Sequence, residues 1–471
     1  MPVYLSAKEK FMTDMADDDY SYRDPRLSIW QSSALEVHAT NSLAEGKSLE
    51  ALRARPVTDR TKDPLMVPVH LVAQMAVGAK KPFSWLAGEV KKGILDLKSL
   101  FNPAKDCANT AAHFLWAEVT GNQHDSDLYA DELKKSVCDL GGWQECLSTY
   151  LEYKLTAQKP EYRPNQNVVV DLGTKSRIAI IGDWGVGDKV SINVLQEVAK
   201  LKPDVLLHLG DVYYAGTQHE AKVNFLDICQ SVLGKDIPIY TLCGNHDMYS
   251  GGAGYYWLLD QIGQKASYFC LQNDNWMFLA MDTGFHDNNP FNIATNMTQL
   301  VSQDGWSEAD WHMKQLANLG KKKLVLLSHH QLFSPFSSVG SVNDQAYAYN
   351  PNLYNVFKDH IPQTEWWFWG HEHTLGIYPE YMNLKRGRCV GASAVPVFED
   401  QQTYATCSTQ LQTLDGAMPT WDKTTVLGTT DNMYNNCFAF MTLTGPSATV
   451  DYYQVPLLGT ASKFNLVDKA P

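Results

Sequence analysis

Five short stretches end an apolar run on a residue that can bind a metal or move a proton. Asp183 closes RIAIIGDWG, and Asp211 and Tyr214 close LLHLGDVYYAG. Asn245, His246 and Asp247 close IPIYTLCGNHD, His329 and His330 close LVLLSHH, and His371 and His373 close EWWFWGHEH. An apolar run that stops and delivers a polar group at once is the pattern of a buried parallel strand whose C-terminal end opens on a site. Open α/β sheets bind ligands at the carboxyl ends of their strands, so five such ends predict one site. The donors are two carboxylates, a phenol, a carboxamide and several imidazoles. Clustered thiolates are missing, which argues against a structural zinc site, and the mixed oxygen and nitrogen set suits Fe, Mn or Zn. Seven donors exceed what one ion takes from protein while keeping an open position. Two metals sharing a bridging carboxylate are therefore expected, an arrangement that clamps both oxygens of an in-line phosphoryl displacement.

The ordered set GDWG, GDVYY, GNHD, SHH and GHEH resembles the calcineurin-like metallophosphoesterases and, within them, the purple acid phosphatases. The wider superfamily commonly begins with Asp-x-His, whereas Asp183-Trp184-Gly185 has no imidazole there. Tyr214, three residues after Asp211, matches the tyrosinate of the purple acid phosphatase pattern. The resemblance covers roughly Ser176 to Phe398 and implies a first metal held by Asp183, Asp211, Tyr214 and His373. Asp211 would bridge to a second metal held by Asn245, His329 and His371. A phenolate favours a trivalent ion, so Fe(III) is expected at the Tyr214 position and Fe(II), Zn or Mn at the other. The fold implied is a four-layer αββα sandwich with mixed sheets, an α/β architecture.

The reaction expected is phosphoester hydrolysis by a metal-activated hydroxide. His246 would serve the leaving group as proton donor, because its neighbour Asn245 already points at the metal and successive side chains diverge. Asp247 is the expected orienting partner of His246. His330 fits either a contact to substrate phosphate or a packing imidazole beside His329. A phosphomonoesterase of the acid-phosphatase type is expected. The alternatives are a phosphodiesterase on cyclic nucleotides or phospholipid headgroups, and a non-catalytic interaction protein on the same scaffold.

The elements that must position these groups lie in the second part of the chain. At 471 residues the sequence is too long for one ordinary small domain. Residues 1–165 read as a mostly helical domain of unreadable role, with Phe83, Leu86, Val90, Ile94, Leu97 and Phe101 on one helix face. KPEYRPNQN, Lys159 to Asn167, reads as a linker, and residues 166–471 as the catalytic domain. There, strand and helix alternate from Arg177 to the Ile237 strand, which predicts parallel βαβ units. ASYFCL with WMFLAMDT, and CFAFMTL with TVDYYQV, read as hairpin pairs. The long polar stretches Asn288 to Gly305 and Ser334 to Ala348 are expected to wall the pocket. Tyr249, Tyr255, Tyr256, Trp257, Phe285, Phe333 and Phe336 are candidates for gripping an apolar leaving group, although each alone also fits core packing. His208, flanked by leucines, is expected to be a hydrogen-bonded core residue.

Charge narrows the partners. A net charge of −13 offers no basic footprint for nucleic acid or an anionic membrane, so a small phosphorylated substrate is expected and no nucleic acid. No stretch approaches the ~20 apolar residues of a transmembrane helix, and the acidic N-terminal segment lacks the apolar core of a signal peptide. Nine cysteines without paired spacing fit a reducing compartment, so a cytoplasmic location is expected. The one sequon, Asn296-Met297-Thr298, is read as chance. What the N-terminal helices bind is not legible.

Overall fold

The computed structural model of the protein describes residues 162–471, apart from 188, 214–215, 289–296, 344, 396, 398, 400–402, 408–409, 431–432 and 457–458. The expected helical domain with its Phe83 stripe, Tyr214 and Asn296 lie outside the described residues.

The strands, in chain order, begin with β1 (Val169–Asp171), β2 (Lys175–Ile181), β3 (Val205–His208), β4 (Ile239–Thr241), β5 (Phe269–Gln272), β6 (Trp276–Ala280) and β7 (Lys323–Leu327). They continue with β8 (Thr364–Trp369), β9 (Leu375–Ile377), β10 (Gly387–Val390), β11 (Asn436–Thr444), β12 (Ser447–Val455), β13 (Ser462–Lys463) and β14 (Asp468–Ala470). The helices used below are α1 (Lys189–Lys200), α2 (Asp227–Leu233), α3 (Asn245–Met248), α4 (Ala253–Ile262), α5 (Glu308–Leu316) and α6 (Pro351–Phe357).

Two seven-stranded sheets result. One runs β13-β12-β11-β2-β3-β4, with β14 paired to β12; the other runs β1-β5-β6-β7-β8-β10-β9. Both are mixed. β2, β3 and β4 are mutually parallel, as are β6, β7, β8 and β10. The antiparallel pairs β5 with β6 and β11 with β12 are the two hairpins expected from the sequence.

Alternation along each strand explains why the sheets stack. In β2 and β3, Ile178, Ile180, Val205 and Leu207 join the same core as Phe278, Val325 and Phe368 of the facing sheet, whose register puts these three on one face. Their neighbours take the opposite side, where His208 meets Phe225 at 4.8 Å between ring centroids. α1 adds a buried stripe of Val190, Val194, Leu195 and Val198, the spacing of one helical face. α5 and α6 pack on the other sheet through His312, Phe357 and Trp367. Helices thus flank the paired sheets, the four-layer αββα order. Strand β7 shows how strongly the middle is held, since Leu324 to Leu327 are at most 1% exposed and each large side chain contributes about 1.5–3 kcal/mol.

Of the stretch Lys159 to Asn167, residues 162–167 are described. From Tyr162 onward the chain is packed, because the Tyr162 hydroxyl donates to Glu308 Oε2 at 3.1 Å and its ring meets Phe285. The Asn165 amide and carbonyl both bond the Tyr268 hydroxyl. An aromatic residue between two polar ones finds a pocket that composition alone does not reveal.

Candidate metal centre

The polar groups delivered by β2, β3, β4, β7 and β8 meet at the C-terminal ends of those strands, across the junction of the two sheets. Sharp reversals make this possible. Asp183, Asp211 and His371 carry φ of 57°, 73° and 64°, the left-handed region that non-glycine residues rarely enter. Such strain of about 1–3 kcal/mol per residue persists only where the surroundings over-determine it. Here Asp183 N–H donates to the carbonyl of Gly210, and the Tyr213 amide to that of Gly185, so the β2–β3 pairing continues past the strand ends.

Glycine before Asp183, Asp211, Asn245 and His371 reflects close approach. A Cβ on Gly244 would sit 2.1 Å from Asp211 Oδ1, and one on Gly370 would sit 2.5 Å from Asp183 Oδ2. The GD, GN and GH pairs are thus the backbone spacing that lets the loops touch.

Two groups of donor atoms form. In the first, the Tyr213 hydroxyl lies 2.9 Å from Asp183 Oδ1, 3.1 Å from Asp211 Oδ2 and 3.1 Å from His373 Nε2. In the second, Asn245 Oδ1 is 3.0 Å from both His329 Nε2 and His371 Nδ1, which are themselves 3.3 Å apart. Asp211 Oδ2 joins this group at 3.5 Å from His329 Nε2, so Asp211 lies between the two.

The chemistry of the second group fits a cation. His329 Nδ1 bonds the carbonyl of Leu209 at 2.9 Å and must donate there, which leaves Nε2 a lone pair in the neutral ring. Burial, reinforced for His371 by the neighbouring imidazoles, holds both rings below the usual histidine range, so both are neutral. Asn245 spends its Nδ2 on the Tyr249 hydroxyl and turns its carbonyl oxygen inward. A carboxylate oxygen, an amide oxygen and the His329 lone pair facing one another repel unless a positive ion lies among them. Asp183 with Asp211 and His329, and His329 with His330 and His371, also bring possible ligand atoms within 4.8 Å of one another.

The carboxylates tell the same story. Burial raises Asp211 to about 6, and the Asp183 charge adds to this. Asp183 is also pushed up by burial, but its hydrogen bond to His373, that ring's charge and the Tyr213 hydroxyl hold it below the usual range. Asp183 raises His373 in turn, against that ring's burial. Tyr213 is pushed well above the ordinary phenol by burial and by the two carboxylates, so it ionises only when a cation offsets them.

Tyr213 is the residue that sequence reading missed. The expected phenol was Tyr214, which lies outside the described residues; the hydroxyl that meets Asp183, Asp211 and His373 belongs to Tyr213. The π-helical segment Ala221–Leu226 supports it, since Asn224 Nδ2 donates to the Tyr213 carbonyl at 3.0 Å.

The remaining site residues depart from expectation in two places. Asp247 does not orient His246. Its Oδ2 accepts from the backbone N–H groups of Asp211 (3.0 Å) and Gly244 (2.8 Å), and its Oδ1 from Val212 (3.1 Å), so it staples the Asp211 loop to the start of α3. His330 has both ring nitrogens engaged by protein, Nδ1 with Thr283 Oγ1 and Nε2 with Asp287 Oδ2, each at 3.0 Å. It stacks on His371 at 4.4 Å and supports that ring, which displaces the expected phosphate contact. His246 is buried between Tyr213 at 4.5 Å and Tyr249 at 4.7 Å, and burial holds it down to about 4, so at neutral pH the ring is uncharged.

The aromatics proposed to grip a leaving group are mostly core. Tyr249, Tyr255, Tyr256 and Phe333 are at most 1% exposed and Phe285 is 6% exposed, leaving Trp257 and Phe336 partly accessible. His208 is buried as expected and bonds Thr241 Oγ1 at 2.9 Å. The Ser334 loop is tied to the centre by Glu372, whose carboxylate accepts from Ser334 and Ser337.

Residues 176–375 match the family model of the calcineurin-like phosphoesterases. Similar solved structures include purple acid phosphatase PPD1 from yellow lupin (Lupinus luteus) seeds, with 13% identity and a TM-score of 0.39, covering 60% of this chain and 52% of that one. A dimetal phosphatase from Danio rerio has 12% identity and a TM-score of 0.38, covering 61% and 98%. GAP50, the anchor in the inner membrane complex of Plasmodium, has 13% identity and a TM-score of 0.38, covering 62% and 89%. The chain spans about half the length of the lupin enzyme it matches, 52%. No curated protein matches the chain. No helix among the described residues is long and apolar enough to cross a membrane.

Proposed function

We propose that the chain hydrolyses phosphoesters, with phosphomonoesters as its substrates, at a centre of two metal ions. The observation that carries this reading is the convergence of Asn245 Oδ1, His329 Nε2 and His371 Nδ1 within 3.0–3.3 Å, beside the Asp183, Tyr213 and His373 group. Those residues would hold two cations, which would supply a bound water with its pKa lowered from 15.7 to about 7 and positive charge for the phosphoryl oxygens. Asp211, lying between the two groups, would be the shared ligand. Tyr213 is the hard anionic donor, which favours Fe(III) in the first group and Fe(II), Zn or Mn in the second.

The chain's other residues orient and transfer protons. His246, neutral and walled by two tyrosine rings, offers an N–H to the leaving-group oxygen. Asp247 fixes the loops that carry Asp211 and Asn245. His330, fixed by Asp287 and Thr283, fixes His371 in turn. Turnover of mono-aryl and bis-aryl phosphates by the purified, metal-loaded chain tests the proposal. The monoester is expected to be hydrolysed faster; preference for the diester overturns the monoesterase assignment, and inertness toward both overturns hydrolysis.

A further inference from the structure

Asn245 can serve the centre only if its oxygen, not its nitrogen, faces inward. With the amide reversed, its N–H groups would point at His329 Nε2 and His371 Nδ1 and satisfy the His329 lone pair in place of a cation. The structure has the oxygen inward, and Nδ2 rests on the Tyr249 hydroxyl at 2.5 Å. The two residues are four apart at the start and cap of α3, where Tyr249 continues the helical backbone with φ −63° and ψ −33°, so the side chains share one face. Both are buried, at 1% and 0% exposure.

The same ring has a second contact. It lies 4.7 Å from the His246 ring at 56°, and on that imidazole's other contact the Tyr213 ring lies 4.5 Å away at 58°. Burial removes Tyr249 from any contact with a leaving group.

We propose that Tyr249 is a positioning residue for the reaction, anchoring the Asn245 amide through its hydroxyl and confining the His246 imidazole through its ring. This rests on the dinuclear hydrolase reading above. Partners that hold a metal ligand in place typically matter 10–100-fold in metal affinity, and the phenol is the group that holds this amide.

The two roles separate by substitution in the full chain. Tyr249→Phe keeps the ring and removes the hydroxyl, while Tyr249→Leu removes both. After chelation, each protein is titrated with Zn²⁺ alone and bound metal is counted. Tyr249→Phe is expected to bind the second equivalent about 10–100-fold more weakly, with the first unchanged. Tyr249→Leu is expected to lose turnover at saturating metal as well, most for substrates with poor leaving groups. Binding of both equivalents by Tyr249→Phe at the parent's affinity overturns the inference; because that variant only removes one oxygen, it decides the matter even if Tyr249→Leu does not fold. A parent chain that fails to bind two equivalents refutes the hydrolase reading instead, and Asn245→Ala, which removes the same ligand directly, marks the size of loss that Tyr249→Phe should approach.

Discussion

Gly244→Ala is a one-carbon perturbation aimed at the heart of the site. Gly244 has φ −95° and ψ 178°, ordinary extended backbone, so alanine adopts it without conformational strain. The cost is wholly steric. The new methyl would lie 2.1 Å from Asp211 Oδ1 and 2.7 Å from the Asp211 backbone nitrogen. Restoring ordinary van der Waals separation requires a retreat of more than about 1 Å. Asp211 has little room, since its Oδ1 accepts from the His246 amide at 2.9 Å and its own amide is held by Asp247. Overpacking of this kind costs about 1–3 kcal/mol, read as a fall of several degrees in thermal midpoint. Displacement of a positioned group by about 1 Å costs about 10²-fold in turnover. The assay pairs a thermal melt with hydrolysis of an aryl phosphate at saturating metal. Activity within twofold of the parent, in a protein of lower midpoint, would refute the claim that the position of Asp211 governs the reaction.

Other substitutions test separate parts. His246→Ala is expected to lose at least about 10²-fold in turnover with metal content unchanged; loss of metal would recast His246 as a ligand. Tyr213→Phe is expected to abolish any visible tyrosinate-to-iron absorption in iron-loaded protein and to weaken the first metal position, and persistence of the band would assign it to another phenol. Glu308 carries a pH effect away from the metal centre, because burial raises it from 4.5 to about 8. Its folded form therefore prefers the proton, so the stability it contributes is complete below about 4.5 and is lost as pH rises through about 8. Glu308→Gln is expected to flatten the fall of thermal midpoint across that window, and an unchanged slope would show that Glu308 is not its source. Asp282, raised to about 7 by burial and by the Glu308 charge, titrates in the same window and is expected to move toward its ordinary range in that variant.

The strand ends were readable because their cause is local. An apolar run and a polar residue sit next to one another in the chain, with a glycine that permits close approach between them after β2, β3, β4 and β8 and a serine after β7. The place of Tyr213 was not readable, because Asp211 at φ 73° reverses the backbone ahead of it and so directs its hydroxyl to the carboxylates. Nothing in the order Asp-Val-Tyr-Tyr records that angle. Asp247 had a signal that was passed over, since an acid three residues after the residue that starts a helix commonly accepts a backbone N–H there. His330 and Tyr249 depend on partners 47 and four residues away, Thr283 and Asn245, and such pairings belong to tertiary packing. The packing of Tyr162 against Glu308 is hidden for the same reason, with 146 residues between them.

Anomalous diffraction from crystals grown with Zn²⁺ or Mn²⁺ bears most directly on the central claim. Two peaks are predicted, one among Asp183, Asp211, Tyr213 and His373, the other among Asp211, Asn245, His329 and His371. No peak at these side chains, or peaks bound elsewhere on the domain, would contradict the assignment of this cluster as a metal centre.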